Sequence, residues 1–406
     1  AYHGFVRQES GLAVDLVQAN GEVISIPRVE IEERIRQQVS AMPDGLANQL
    51  NPQQTADLIR FVLDAGQTPA LLATVSAGPT GKADELSGSA LKPGWSSGRG
   101  NGIPADDSSA SSEVSFDDTG SSLRIRVGRQ QIGEYVYRHD RILRPFFAHM
   151  KTPLGPQVTR TFPPGEGDRQ DHADMHPGIW LAFGDISGVD FWRNRGVVRH
   201  PRFLEDPTGG EGEGRFRELK RYLNPSGDVV CREEFGCVVR VTAEGYVLEF
   251  TSEFFSDGDQ EFSFGDQEEM GLGIRVATEV AEIAGSGGRI LDSEGRTGAA
   301  EVWSNASQWC DYSGVSDGTV LGMTILCHPE NLRQSWMHAR DYGVIAANLF
   351  GRKAMRKGDA SRIVVSPGEI FRLRYAVLLH NGEGIQEQAY RKYLRRTEIQ
   401  NDSTDK

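Results

Sequence analysis

Five side chains in this sequence have the types and neighbours expected of proton-transfer groups: His172, His176, His338, Glu268 and Glu269. Imidazole is the side chain whose ordinary pKa suits a general acid near neutral pH, and a nearby carboxylate suits the base. His172 and His176 fall in a dense stretch from Asp171 to Asn194 that holds two His, four Asp and two Trp. Such mixing of ionisable, aromatic and turn-forming residues is what a pocket wall requires. Trp180, Trp192, Trp309 and Trp336 offer flat faces for a sugar ring, with Arg340 and Asp341 as polar neighbours beyond His338. This chemistry calls for a carbohydrate ligand and for neither a metal nor another cofactor.

A metal centre is the competing reading. On a helical turn His172 and His176 would share one face, whereas on a strand they would stand about 13 Å apart, too far to share an ion. Pro177 argues against a continuing helix, and His328 and His338 with Asp171, Asp311 or Asp341 complete a ligand set only if the fold gathers them. A non-catalytic glycan-binding module is the third reading.

These residues must be positioned by strands. Ile179, Leu181 and Phe183 alternate with Trp180, Ala182 and Gly184 as in a strand buried on both faces. Leu123/Ile125/Val127, Val238 to Val241, Val247 to Phe250, and Phe371/Leu373/Tyr375/Val377 give further strands, with a turn at Ala243-Glu-Gly. Helical periodicity is confined to Arg215–Leu223 and to Gln386 through Arg396. The expectation is a mainly β protein: a large, supersandwich-like β-sandwich over 114–406 with a small N-terminal α/β appendage. The net charge of -13 disfavours nucleic acid, and no apolar run is long enough to span a membrane as a helix. Oligomeric state cannot be read. Cys231 and Cys237 fit either a bridge or two buried thiols, and no Cys-x-x-Cys spacing occurs.

Over residues 1–65, alternation on both sides of Asn20-Gly21 predicts a hairpin. Asn51, Pro52 and Gln54 cap a helix whose face is Leu58, Ile59, Val62 and Leu63. Together with Ser40-Ala-Met-Pro-Asp-Gly-Leu, this segment resembles the C-terminal end of haem-binding cytochrome c domains. The resemblance would make Met42 an axial ligand, but no Cys-x-x-Cys-His is present and no haem is expected. Residues 66–113, rich in Gly, Ser and Pro, read as a flexible, disordered linker.

The main domain carries Arg144-Pro-Phe-Phe, Val158-Thr-Arg, Asp171-His through Asp190-Phe-Trp, Phe264-Gly-Asp-Gln-Glu-Glu, Gly273-Ile-Arg, Trp309-Cys-Asp-Tyr, Trp336-Met-His-Ala-Arg-Asp-Tyr-Gly and Asn348-Leu-Phe-Gly. In that order, over about residues 130–382, these motifs resemble the family labelled methane oxygenase PmoA. The resemblance implies a secreted or periplasmic carbohydrate-related protein. From the residues themselves a lyase, epimerase or hydrolase working by His/Glu acid-base chemistry leads, with a metal-dependent, oxygenase-like enzyme and the glycan-binding module as alternatives.

Overall fold

The computed structural model describes residues 5–9, 13–17, 23–27, 112–285 and 287–404. The chain divides into two compact units, Ala1–Asn101 and Gly102–Lys406. In the first, strands Phe5–Glu9, Ala13–Val17 and Val23–Pro27 form an antiparallel three-stranded sheet. The hairpin about Asn20-Gly21 is present in the pairing of Val14 with Ile26 and Leu16 with Ile24, which places like faces together. Met42, the helix placed after Asn51 and the linker up to residue 111 lie outside the described residues.

The second unit is a sandwich of two large antiparallel sheets. The nine-stranded sheet runs, edge to edge, Gly210–Glu211, Glu113–Asp118, Ser122–Val127, Gln130–Val136, Phe146–Ala148, Ile179–Phe183, Met270–Arg275, Val344–Asn348 and Trp336–Arg340. The eight-stranded sheet runs Arg289–Asp292, Trp309–Ser316, Thr319–Cys327, Ile370–Asn381, Tyr246–Phe255, Val229–Val241, Glu213–Leu223 and Val197–Thr208. Between them lies one core in which Ile125, Phe147, Ile179, Phe183, Phe235, Phe250, Leu272 and Ile345 are buried. The mainly β, sandwich-like architecture expected from strand spacing is observed.

One segment departs from the expectation. Arg215–Leu223, read as a helix, belongs to the strand Glu213–Leu223, paired on both sides. Phe216, Leu219 and Leu223 carry helical spacing, and the strand period is concealed because two of the inward positions, Glu218 and Lys220, are charged. Both are nonetheless buried, with Glu233 and His200. Lys220 Nζ stands 3.6 Å from Glu218 and 3.5 Å from Glu233, and it lies over the Phe235 ring. Tyr135 and His200 also hold Glu218, while Tyr222 and Ser252 each donate to Glu233 at 2.7 Å. Buried charge is tolerable only when paired and hydrogen-bonded in this way.

The helix Gln386–Thr404 matches the C-terminal expectation and covers the outer face of the eight-stranded sheet with Ala389, Tyr390 and Tyr393. All four Cys are buried and free, and Cys231 and Cys237 occupy one strand, so they do not bridge. No helix among the described residues is long and apolar enough to cross a membrane.

Candidate functional site

The outer face of the nine-stranded sheet, away from the sandwich core, gathers the chemistry. Trp180, Gly273, Ala346 and His338 stand opposite one another on successive strands. Because side chains alternate along a strand, Ala182 and Gly271 on one side of this row, and Arg275, Val344 and Arg340 on the other, share its face. Trp336 and Asn348 also pair on this face. The centre of the row is a floor of small residues, and the Trp180 indole lies across Gly273, where a Cβ would come within 2.5 Å of the ring.

The His-bearing segment crosses this floor as a single turn. The amides of Met175 and His176 both donate to the His172 carbonyl, at 3.0 and 2.9 Å, and the two imidazoles stand 5.1 Å apart. This resolves the alternative that spacing left open in favour of a turn, which Pro177 then closes. Buried guanidiniums hold it. Arg160 donates to the carbonyls of Arg169, Asp171 and His176, at 3.0, 2.6 and 2.9 Å. Arg144 donates to Trp192 O at 2.9 Å and to Met175 O. Burial pushes Arg144 down to about 9 and Arg160 to about 10, so both remain cationic at neutral pH. Arg275 grips Asp171 at 3.1 and 3.0 Å and lies over the Tyr342 ring.

His176 does not serve as an acid here. Its ring is stacked on Trp180 at 5.0 Å, and its Nε2 accepts from Trp192 Nε1 at 3.3 Å. Indole N–H is a donor only, so Nε2 is unprotonated. Burial first, then the positive charges of His172, Arg275, Arg144 and His338, hold its pKa well below the usual imidazole value. It is a neutral packing residue. Trp192 is wholly buried behind it, and Trp180 is covered by the His176 ring, so neither of these two indoles presents an open face to a ligand. Trp309 is placed elsewhere altogether, under the C-terminal helix with its Nε1 donating to Glu387 at 3.0 Å. The partly exposed rings beside the floor are Trp336, Trp303 and Tyr342, of which sequence reasoning named only the first.

Two imidazoles on this face have a carboxylate at Nδ1. His172, exposed and with a left-handed φ of 52°, has Asp171 Oδ2 at 3.3 Å and stacks on Tyr342. Burial opposes the Asp171 charge, but Arg275, with His172 and Arg169 adding, keeps this carboxyl well below the usual range. His338 is buried, with Nδ1 3.1 Å from Glu268 Oε1 but off the line of a hydrogen bond. No hydrogen bond among the described residues reaches Nε2 of either ring. Glu268 Oε1 also receives Trp303 Nε1 at 2.8 Å and Arg340 Nη2 at 2.6 Å. His338 first, then Trp303 and Arg340, hold its pKa at about 2 against burial. A carboxylate so acidic is a poor base at neutral pH and acts as an aligner instead. Glu269 is engaged by Arg193, which also holds Asp190 at 2.8 Å. The Asn348 side-chain amide fixes this loop through Gln267 O at 2.8 Å and Glu268 O at 2.9 Å. Asp341 is exposed, and its carbonyl accepts from Tyr312 OH at 2.6 Å.

The metal alternative is not assembled. His328, just past the strand Thr319–Cys327, bonds Thr397 of the C-terminal helix at 2.8 Å, and Asp311 bonds His380 at 2.9 Å within the eight-stranded sheet. Among the described residues no three His, Cys, Asp or Glu side chains are grouped to hold an ion.

Fold and site together define a β-sandwich protein with a His- and Arg-rich polar face on one sheet. The chain belongs to a family of unknown function, DUF6807, matched over residues 122–394. That match corrects the expected membership of the methane oxygenase PmoA family, and nothing found supports a cytochrome c remnant at the N-terminus. No curated protein matches the sequence. Among solved structures, a galactose mutarotase-like protein from Lactobacillus casei is similar at 8% identity and a TM-score of 0.34, over 66% of this chain and 100% of that one. A galactose mutarotase related enzyme from Lactobacillus acidophilus is similar at 10% identity and 0.28, over 66% and 97%. An aldose epimerase homologue from C. elegans is similar at 7% identity and 0.28, over 68% and 99%. At such scores the chemistry must be argued from this chain's own residues.

Proposed function

We propose that this face binds a sugar and exchanges protons with it through His338 and His172. The observation that carries the reading is the pair of imidazoles, each with a carboxylate at Nδ1 and a free Nε2. The bond to Asp171 at His172 Nδ1, and the negative charge of Glu268 3.1 Å from His338 Nδ1, favour the tautomer with its proton on that nitrogen, leaving the Nε2 lone pair to act as a base; the protonated ring acts as the acid. Two such groups on one face can remove a proton from a hydroxyl or ring carbon at one point and deliver one at another, as epimerisation, elimination and hydrolysis all require. Trp336, Trp303 and Tyr342 supply partly exposed ring faces on which a pyranose can stack. Arg340 and Asn348 serve as positioning residues, since both hold the Glu268 loop.

The test is turnover and binding over a panel of glycans by the full chain and by His338→Gln and His172→Gln. Loss of a positioned proton-transfer group should lower turnover by about 10²–10⁴-fold with binding retained. A glycan bound but never turned over would assign the face to a non-catalytic binding module. Binding of no glycan at all would sink the proposal.

A further inference from the structure

Resting on the reading of this face as a sugar site, we infer that the sugar it takes is acidic, and that its anionic substituent, a carboxylate or sulfate ester, sits on Arg356 beside Trp303. The chain as a whole is acidic, at -13, yet residues 351–358 read Gly-Arg-Lys-Ala-Met-Arg-Lys-Gly, with four cations and no acid. This loop follows shortly after the strand that carries Asn348.

The loop is built rather than draped. Met355 is buried at its centre, and its carbonyl accepts from Ser304. The Asp266 carboxylate takes the amides of Lys353, Ala354 and Ser361, at 3.0, 2.8 and 2.6 Å. Asp266 and Glu268 lie two residues apart on one short connection, so the hydrogen bonds that fix the basic loop fix it to the carboxylate that aligns His338. Met355 N to Gly351 O and Lys357 N to Arg352 O, both 2.7 Å, close the turn. Arg356 itself holds a left-handed φ of 57°, a conformation that an Arg adopts only when its surroundings impose it.

The guanidiniums nearer the floor are already committed: Arg340 to Glu268, Arg193 to Asp190 and Glu269, Arg275 to Asp171. Among the described residues Arg352, Lys353, Arg356 and Lys357 form no ion pair. Arg352 spends its Nε on Asp359 O at 2.7 Å, and Lys357 rests on Asn305 at 3.2 Å. Arg356 lies over the Trp303 ring at 5.0 Å, and the same indole donates to Glu268 at 2.8 Å. The unpaired cation is therefore one indole away from the aligning carboxylate. Its planar fork matches a carboxylate or sulfate, and its place over Trp303 sets it beside a sugar stacked at that indole.

The experiment is calorimetric titration of the full chain with short oligouronides, with the same oligosaccharides after carboxyl reduction, and with sulfated neutral oligosaccharides. The expected result is binding of a charged ligand at least about ten-fold tighter than its uncharged counterpart, weakening as NaCl is raised. Arg356→Gly, which removes the guanidinium and relaxes the positive φ, should abolish that preference with the thermal midpoint unchanged. Arg356→Lys should retain part of it. Preference for the sulfated ligand alone would assign the anion as sulfate and keep the inference. Equal affinity for charged and reduced ligands, or a preference that survives Arg356→Gly, overturns it. If neutral sugars are bound and turned over through His338, the sugar reading stands while this one falls; if no sugar binds, both fall.

Discussion

Replacing Gly273 by Ala tests whether the small-residue floor is a constraint or an accident. The added Cβ would stand 2.5 Å from Trp180 Cε2 and Cζ2 and 2.8 Å from its Nε1. Carbon–carbon contacts settle at about 3.5–4.0 Å, so the indole must move by roughly 1 Å. It has nowhere to go. His176 is stacked against it with planes 9° apart, and Trp192 meets it edge-on at 5.4 Å. Overpacking of this kind costs about 1–3 kcal/mol, which for a domain of this size lowers the thermal midpoint by roughly 2–10 °C. The displacement passes through His176 to its bond with Trp192, so the near-ultraviolet circular dichroism of both indoles should change as well. Gly236→Ala is the control, since a Cβ there meets only Arg217 Cγ at 3.4 Å and Thr251 O at 3.9 Å. In that strand the substitution should leave stability the same or raise it by about 0.4–1 kcal/mol. A Gly273→Ala protein with an unshifted midpoint and an unaltered near-ultraviolet spectrum would refute the packing argument.

Two further outcomes follow from the buried charges. Lys220→Met leaves Glu218 and Glu233 in the core without their cation and should cost about 3–5 kcal/mol in urea unfolding, part of it recovered when Glu233→Gln is added; a loss under about 1 kcal/mol would show that Lys220 is not what offsets them. For Glu268 the folded pKa is depressed from 4.5 to about 2, so its contribution is complete above pH 4.5 and is lost as pH falls through about 2. At full weight that depression is worth about 3 kcal/mol, and screening at a carboxylate 31% exposed reduces it to roughly 1–2 kcal/mol. The stability difference between the wild type and Glu268→Gln should therefore shrink between pH 4.5 and 2, and a difference constant across that range would contradict the linkage.

The sandwich could be read from the sequence wherever one face of a strand is apolar. Leu123, Ile125 and Val127 are all inward, as their alternation demands, and the helix after Gln386 shows its own period in Ala389, Tyr390 and Tyr393. The reading failed at Glu213–Leu223 because periodicity analysis equates buried with apolar, and here the buried positions include Glu218 and Lys220. For the site, residue type was informative and place was not. A Trp is equally at home under a helix, as Trp309 is, or beneath a stacked imidazole, as Trp180 is, and nothing in its immediate neighbours distinguishes the two. Arg144, Arg160 and Arg275 each stand at an end of a motif that the sequence displays, yet their work includes donation to backbone carbonyls and to Asp171, which becomes visible only when the turn is folded.

What brings Trp180, Gly273, Ala346 and His338 opposite one another is register, and register here is set from the other side of the sheet. Ile179 and Phe183, Leu272 and Ile274, Ile345 and Ala347, and Met337 and Ala339 all face the sandwich core. A slip of one residue in any of the three pairings would turn a strand's apolar set outward and carry its polar set into the core, at a cost of several buried side chains. The inner face thus holds the outer face in place. It follows that a site assembled from residues more than a hundred positions apart needs no direct contact between Trp180 and His338 to keep their spacing. The pairings Gly273↔Ala346 and Ala346↔His338 transmit it, and Gly273 is small enough to admit the Trp180 indole across it.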